Sequence, residues 1–189
     1  MCSQSVANGS TLTREAILRA LGALSDELGT QGVTGELCLF GGTVMVLAFF
    51  ARLATKDVDA IFEPAQRVRS AAEKVAARHD LPSNWLNEGV KGFVSSRHET
   101  TSASLPQFDH LRLSMPVPEY LLAMKCMAAR IGGTDGEQSD VPDIVFLLRR
   151  LGIKSAAQAL DIVARYYPAE RVSVKTQYLL EGLFDEGQV

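Results

Sequence analysis

Asp57 and Asp59 open the run Asp57-Val58-Asp59-Ala60-Ile61-Phe62, which starts with the alternation of a half-buried strand. Side chains on a strand repeat every two residues, so the two carboxylates face the same way, a few ångströms apart. Two like charges that close repel unless a cation lies between them. Magnesium takes oxygen ligands of this kind, commonly one or two carboxylates together with substrate phosphates. The plainer account is a solvated Asp-x-Asp at a strand end, which needs no ligand. Upstream, Leu37-Cys38-Leu39-Phe40 is an apolar run of strand length, followed by Gly41-Gly42. Small residues there let the backbone turn and approach a ligand closely. A strand, a Gly-Gly turn, a helix and a second strand bring backbone amides close to metal ligands. Gly41, Gly42 and Thr43 would then hold phosphates, and Asp57 and Asp59 a magnesium ion. That combination suits a nucleoside triphosphate.

The elements that must position these groups follow from the periodicity. Thr11 or Thr13 is the expected cap of a first helix, with Ala16, Ile17, Leu18, Leu21, Leu24 and Leu28 as its apolar stripe and Gly29 as its stop. Between the two motifs the chain is apolar over 43–53, enough for three helical turns. Pro64 breaks the aspartate strand and a helix over 65–79 follows. Val68, Ala71, Ala72, Val75 and Ala76 are its inner face, and Arg67, Arg69, Lys74 and Arg78 a solvated outer one. Residues 80–92 read as a loop holding the single tryptophan. Trp85 either plugs the core beneath that loop or lines a base pocket with Asn84 and Asn87. Strands are expected over 93–101 and 105–115. In the latter, Leu111, Leu113 and Met115 alternate with Arg112 and Ser114, and its nearest carboxylate is Asp109, at its entrance.

Pro116 and Pro118 introduce a helix over 120–131, buried through Leu121, Met124, Ala128 and Ile131. Lys125 lies on or beside that stripe. It either snorkels to water or meets a phosphate as a point charge. The glycine-rich turn over 131–139 lacks the spacing and terminal lysine of a P-loop. Asp140-Val141-Pro142-Asp143 admits two accounts: a plain helix cap on Asp140, or an inward Asp143 paired with Lys125. Gly152 ends the 144–151 helix. Helices over 155–167 and 172–184 complete the chain.

Gly41-Gly42-Thr43, an Arg and a Thr ahead of the acidic pair, and Asp57-Val58-Asp59 resemble the signature of the nucleotidyltransferase superfamily. Within it they look like the AbiEii-like toxin group of bacterial toxin–antitoxin systems and its uncharacterised relatives. The resemblance covers roughly 35–152 and includes a Leu-Pro-x-x-Trp-Leu-Asn segment at 81–87. It implies an α/β (α+β) fold: a small mixed sheet flanked by helices, with a C-terminal helical cap. On this reading 1–11 lacks fixed structure, 12–116 is the nucleotidyltransferase-like core and 117–189 is a helical part packed on it. The implied activity is magnesium-dependent transfer of a nucleotide from a triphosphate to a hydroxyl on a transfer RNA end or a protein side chain, with a toxin role and an antitoxin partner. Asp57 and Asp59 would be metal ligands, Lys125 would offset phosphate charge, and Asp143 or Asp140 would orient it or accept a proton. Two departures stand out. Many members carry a third carboxylate on the later strand, where 111–115 has none. Relatives usually place an arginine four residues before the first aspartate, whereas Arg52 is five before Asp57. A single metal or a different base fits the first departure. So does a second reading, in which the fold binds a nucleotide or a protein partner without turnover.

Composition sets the outer bounds. The 189 residues are 47% hydrophobic and 22% charged with a net charge of −3, ordinary for a globular domain. That balance removes any compositional argument for a dedicated nucleic-acid binder, although a local basic patch would suffice for an RNA substrate. Cys2, Cys38 and Cys126 lack metal-ligand spacing and read as reduced thiols. The first eleven residues lack the apolar core of a signal peptide, and no apolar run is long enough for a membrane span. Cytoplasm is the expected compartment.

Overall fold

The run that begins at Asp57 forms a strand over Val58–Glu63 in which Val58, Ala60 and Phe62 are buried and Asp59 and Ile61 half-buried. Burying a large apolar side chain is worth about 1.5–3 kcal/mol. A one-residue slip would exchange the two faces, so this register is strongly held. A computed structural model describes residues 11–129 and 139–189. Expectations for the first ten residues, for Ile131 and for most of the glycine-rich turn lie outside the described residues.

The elements in chain order are β1 (Leu12–Thr13), α1 (Arg14–Thr30), β2 (Gly35–Leu39), α2 (Gly41–Leu47), β3 (Ala54–Thr55), β4 (Val58–Glu63), α3 (Ala65–His79), β5 (Leu86–Asn87), β6 (Thr100–Thr101), β7 (Leu111–Pro116), α4 (Pro118–Ala128), α5 (Val141–Arg150), α6 (Ala156–Tyr166) and α7 (Val174–Asp185). The fold is mixed α/β. One sheet runs in the order β5-β4-β2-β7-β6, with β2 antiparallel and β5 parallel to β4; β1 and β3 form a separate antiparallel pair.

The chain divides into two compact units, one of 1–88 with 104–113 and one of 89–103 with 114–189. This differs from a single boundary at 116. In the first unit α1 packs on α3 and α3 on β4, with Ile17, Leu21, Leu24, Leu28, Val68 and Val75 in the core. Thr13 caps α1 by accepting from the Ala16 amide. Gly29 does not stop that helix. It lies in the last turn, where the missing side chain leaves room for the His110 ring, 2.4 Å from where a Cβ would be. The four basic residues of α3 are exposed, as expected, and two of them, Lys74 and Arg78, each lie 2.7 Å from buried Glu27. No described helix is long and apolar enough to cross a membrane.

Helix α2 is shorter than its apolar run suggests, ending at Leu47. Beyond it Phe50 takes a left-handed φ of 54°, and Phe50 and Leu53 are 68% and 94% exposed. Residues expected as strand also fall outside the sheet. Only Thr100–Thr101 of 93–101 pairs, and 105–110 is irregular apart from a bridge at Phe108 and a turn at 109–110.

In the second unit α4 packs on α5 and α6, and α6 on α7. Ser155 and Ser173 cap α6 and α7. The segment 89–103 belongs here because the Ser95 amide donates to the Tyr120 hydroxyl (2.8 Å) and Tyr166 to Glu99 (2.9 Å). Tyr120 stacks on Tyr166 with ring centres 4.9 Å apart. Burial, with the hydrogen bond to Glu99 adding to it, pushes the Tyr166 hydroxyl up to about 12.

Candidate functional site

Phe40 leaves β2 fully extended and caps α2 with no side-chain hydrogen bond, so the first amides of that short helix have no side-chain cap. Gly41 then takes φ +58°, a conformation that favours glycine. A Cβ at Gly41 would also lie 3.0 Å from Oδ2 of Asp59. The second aspartate therefore sits directly over the first glycine. Gly42 is closed off differently: its Cβ would come within 2.4 Å of the Thr55 hydroxyl. Thr43 is fully buried, and its hydroxyl donates to the Asp57 carbonyl at 3.2 Å. Both motifs are thus tied together through main chain and side chain.

The Asp-x-Asp segment is held from both edges. Phe40 N–H donates to the Asp59 carbonyl (2.8 Å), and Val58 N–H to the Trp85 carbonyl (2.6 Å). In the parallel β4–β5 ladder Asn87 stands opposite Asp59, and partners across a ladder share a face. The Asn87 amide donates to Oδ2 of Asp57 at 3.0 Å. Asp59 and Asn87 therefore share one face of the sheet, and Asn87 reaches from there to Asp57 in the bend before β4, with both aspartates half-buried. Sequence reading names Asn87 only as a possible pocket residue with Trp85 and as the end of the Leu-Pro-x-x-Trp-Leu-Asn segment; its role as the orienting partner of Asp57 has no signal there.

Comparison with models of known protein families, with curated protein sequences and with solved structures finds no match. The site therefore rests on its own chemistry. Among the described residues no three His, Cys, Asp or Glu side chains gather as a metal cage. Two carboxylates without a third fit an ion that takes its remaining ligands from phosphate and water, as magnesium does.

Of three other candidates in the first unit, one falls elsewhere, one is closed to a ligand and one lies beside the glycine turn. Gly35 N–H donates to the His110 carbonyl (2.9 Å), which puts exposed Asp109 at the Gly35 end of β2. Gly41 and Asp59 are at its Leu39 end, about 13 Å of strand away, so Asp109 does not supply the third carboxylate. Trp85 is 1% exposed and its indole N–H donates to the Ala72 carbonyl at 3.1 Å. It is the plug beneath the loop, with no face left for a base. Arg52 does approach: its Nη1 lies 3.9 Å from the position of a Gly42 Cβ. The shift of one residue from the usual spacing still leaves it beside the glycine turn.

Lys125, Asp140 and Asp143 belong to the second unit and form a buried trio of their own. Lys125 Nζ lies 3.0 Å from Oδ1 of Asp140 and 2.5 Å from Oδ2 of Asp143, with side-chain exposures of 8%, 8% and 2%. The Asp140 side chain makes no capping bond to α5; Ser139 accepts from the Val141 amide instead. Of the two accounts of Asp-Val-Pro-Asp, the ion pair is the one formed. One ammonium between two carboxylates leaves no surplus positive charge in the trio.

Proposed function

We propose that the first unit binds a magnesium–nucleoside triphosphate and passes its nucleotide to an acceptor hydroxyl. The observation that carries this reading is the Asp59 carboxylate lying over Gly41, with Asp57 fastened to Thr43 and Asn87. Gly41, Gly42 and Thr43 would present amides to the phosphates. Asp57 and Asp59 would hold the metal, and Asn87 would keep the Asp57 carboxylate turned toward it. Magnesium bound there would neutralise phosphate charge during an in-line displacement. Arg52 would approach the same turn from the far side. Lys125, Asp140 and Asp143 carry no step here, because the lysine's charge is already matched within its own trio. The acceptor, an RNA end or a protein side chain, and a toxin role with an antitoxin rest on the resemblance alone.

A second reading keeps nucleotide binding and drops turnover. It is favoured by the absence of a third carboxylate among the described residues. Calorimetric titration of the four triphosphates, with and without magnesium, separates the outcomes. Binding that needs magnesium and is lost in Asp57→Ala/Asp59→Ala supports the site. A folded wild-type protein that binds none of the four overturns it. If binding holds, transfer of labelled nucleotide to RNA or protein decides between the two readings.

A further inference from the structure

Between α2 and β3 the chain reads Ala48-Phe49-Phe50-Ala51-Arg52-Leu53, with one cationic and no acidic side chain. Within it Phe50 is 68% exposed and held at φ 54°. A bulky residue in that region is strained and persists only where its surroundings hold it. The Arg14 guanidinium covers the Phe50 ring at 5.0 Å from its centre. Arg14 Nε is shut off from solvent yet has no hydrogen-bond acceptor among the described residues. Arg52, two residues on, reaches the Gly42 turn, and Leu53 is 94% exposed. An exposed aromatic ring backed by one arginine, with a second arginine two residues on, matches how proteins hold single strands. Bases stack on the ring and phosphates meet the guanidinium groups.

We infer that Arg14 and Phe50 form a stacking platform for a base of a single-stranded polynucleotide. The choice of a polynucleotide rests on the nucleotidyl-transfer reading. It also rests on geometry, since an open ring holds a strand gripped at several points better than a lone mononucleotide. The platform lies two residues before Arg52, whose side chain reaches the Gly42 turn. A strand stacked on Phe50 can therefore run toward the glycine turn with its phosphates passing Arg52.

The test is fluorescence anisotropy with labelled oligoadenylate and oligouridylate strands of about ten nucleotides, at several salt concentrations. Wild type binds. Phe50→Ala weakens binding about tenfold, Phe50→Trp retains it, and Arg14→Gln flattens the log–log salt slope by about 0.7. Phe50→Gly also loses binding but folds more stably than Phe50→Ala, because glycine accepts the left-handed backbone without strain. No binding by wild type, or equal binding by Phe50→Ala, overturns the inference. So does a Phe50→Ala protein that loses affinity for free triphosphate but not for the strand. Asp57→Asn/Asp59→Asn separates the two readings and is expected to keep strand affinity. If wild type binds the strand but no magnesium–triphosphate, the transfer reading falls and the platform stands. If it binds triphosphate but no strand, the platform falls alone.

Discussion

Gly41 answers two separate demands, backbone and space, and substitutions can tell them apart from the single demand at Gly42. Gly41→Ala places an L side chain at φ +58° and a Cβ at 3.0 Å from Asp59. We expect a loss of about 1–2 kcal/mol in urea unfolding together with loss of magnesium-dependent triphosphate binding. At Gly42 the difficulty is the Thr55 side chain alone, its hydroxyl at 2.4 Å and its Cβ at 3.0 Å. Gly42→Ala should therefore be harmful and Gly42→Ala/Thr55→Ala partly recovered in the same measurement. Asp59 falls on β4 as the alternation predicts, whereas Asp57 lies in the bend just before that strand, so its place beside Asn87 does not come from strand period. Asn87 was not legible either, since its tie to Asp57 runs through a strand of two residues, too short to show any period. Glu27 gives a pH test far from that site. The Lys74 ammonium, against the opposing effect of burial and with Arg78 and Gln31 helping, lowers its carboxyl from 4.5 to about 2. A depressed carboxyl stabilises the fold above its ordinary value and loses that contribution as pH falls through the folded one. Glu27→Gln should melt about 2–4 °C lower at neutral pH. The gap from wild type should close between pH 4.5 and about 2.

At the scale of elements, legibility followed the clarity of the period. Helix α3 has five inward residues at helical spacing and polar residues elsewhere, and its observed bounds are those expected from sequence. The apolar run over 43–53 has no polar face to set a phase, so nothing in it marks the exit after Leu47. The extended reading of 105–110 failed because Phe108 bridges to Leu111 across a turn, a local closure that imitates an alternating pattern. Helices α4 and α5 are joined by the Lys125 trio, and its energetics are testable by denaturant unfolding. Lys125→Met leaves two buried carboxylates without their cation and should cost about 3–5 kcal/mol. Lys125→Met/Asp140→Leu/Asp143→Leu removes all three charges and should recover most of that loss, because the pair interactions no longer oppose a desolvation cost. If the single and triple variants were equally unstable, packing rather than charge would explain the trio. The buried Cys126 thiol, pushed up to about 12 by desolvation, should resist alkylation until α4 unfolds.

At the scale of the whole molecule, neither unit is a continuous stretch of chain. The path enters the second unit at Gly89, returns to the first at Ser104 and leaves it after Leu113. A fragment of residues 12–116, the natural cut from the sequence pattern, would carry 89–103 without the α4 and α6 tyrosines that it binds. We expect that fragment to lack a cooperative melting transition, while the full chain has one. The same interleaving also governs the order of events on the ribosome. Strand β2 lies between β4 and β7, so the nascent first unit presents an open apolar edge until Leu113 has emerged. By then fifteen residues that belong to a helical partner still being translated already trail from it. Synthesis would thus pass through a stage with an unpaired edge and an unclaimed loop side by side, the stage at which a chaperone would find most to hold.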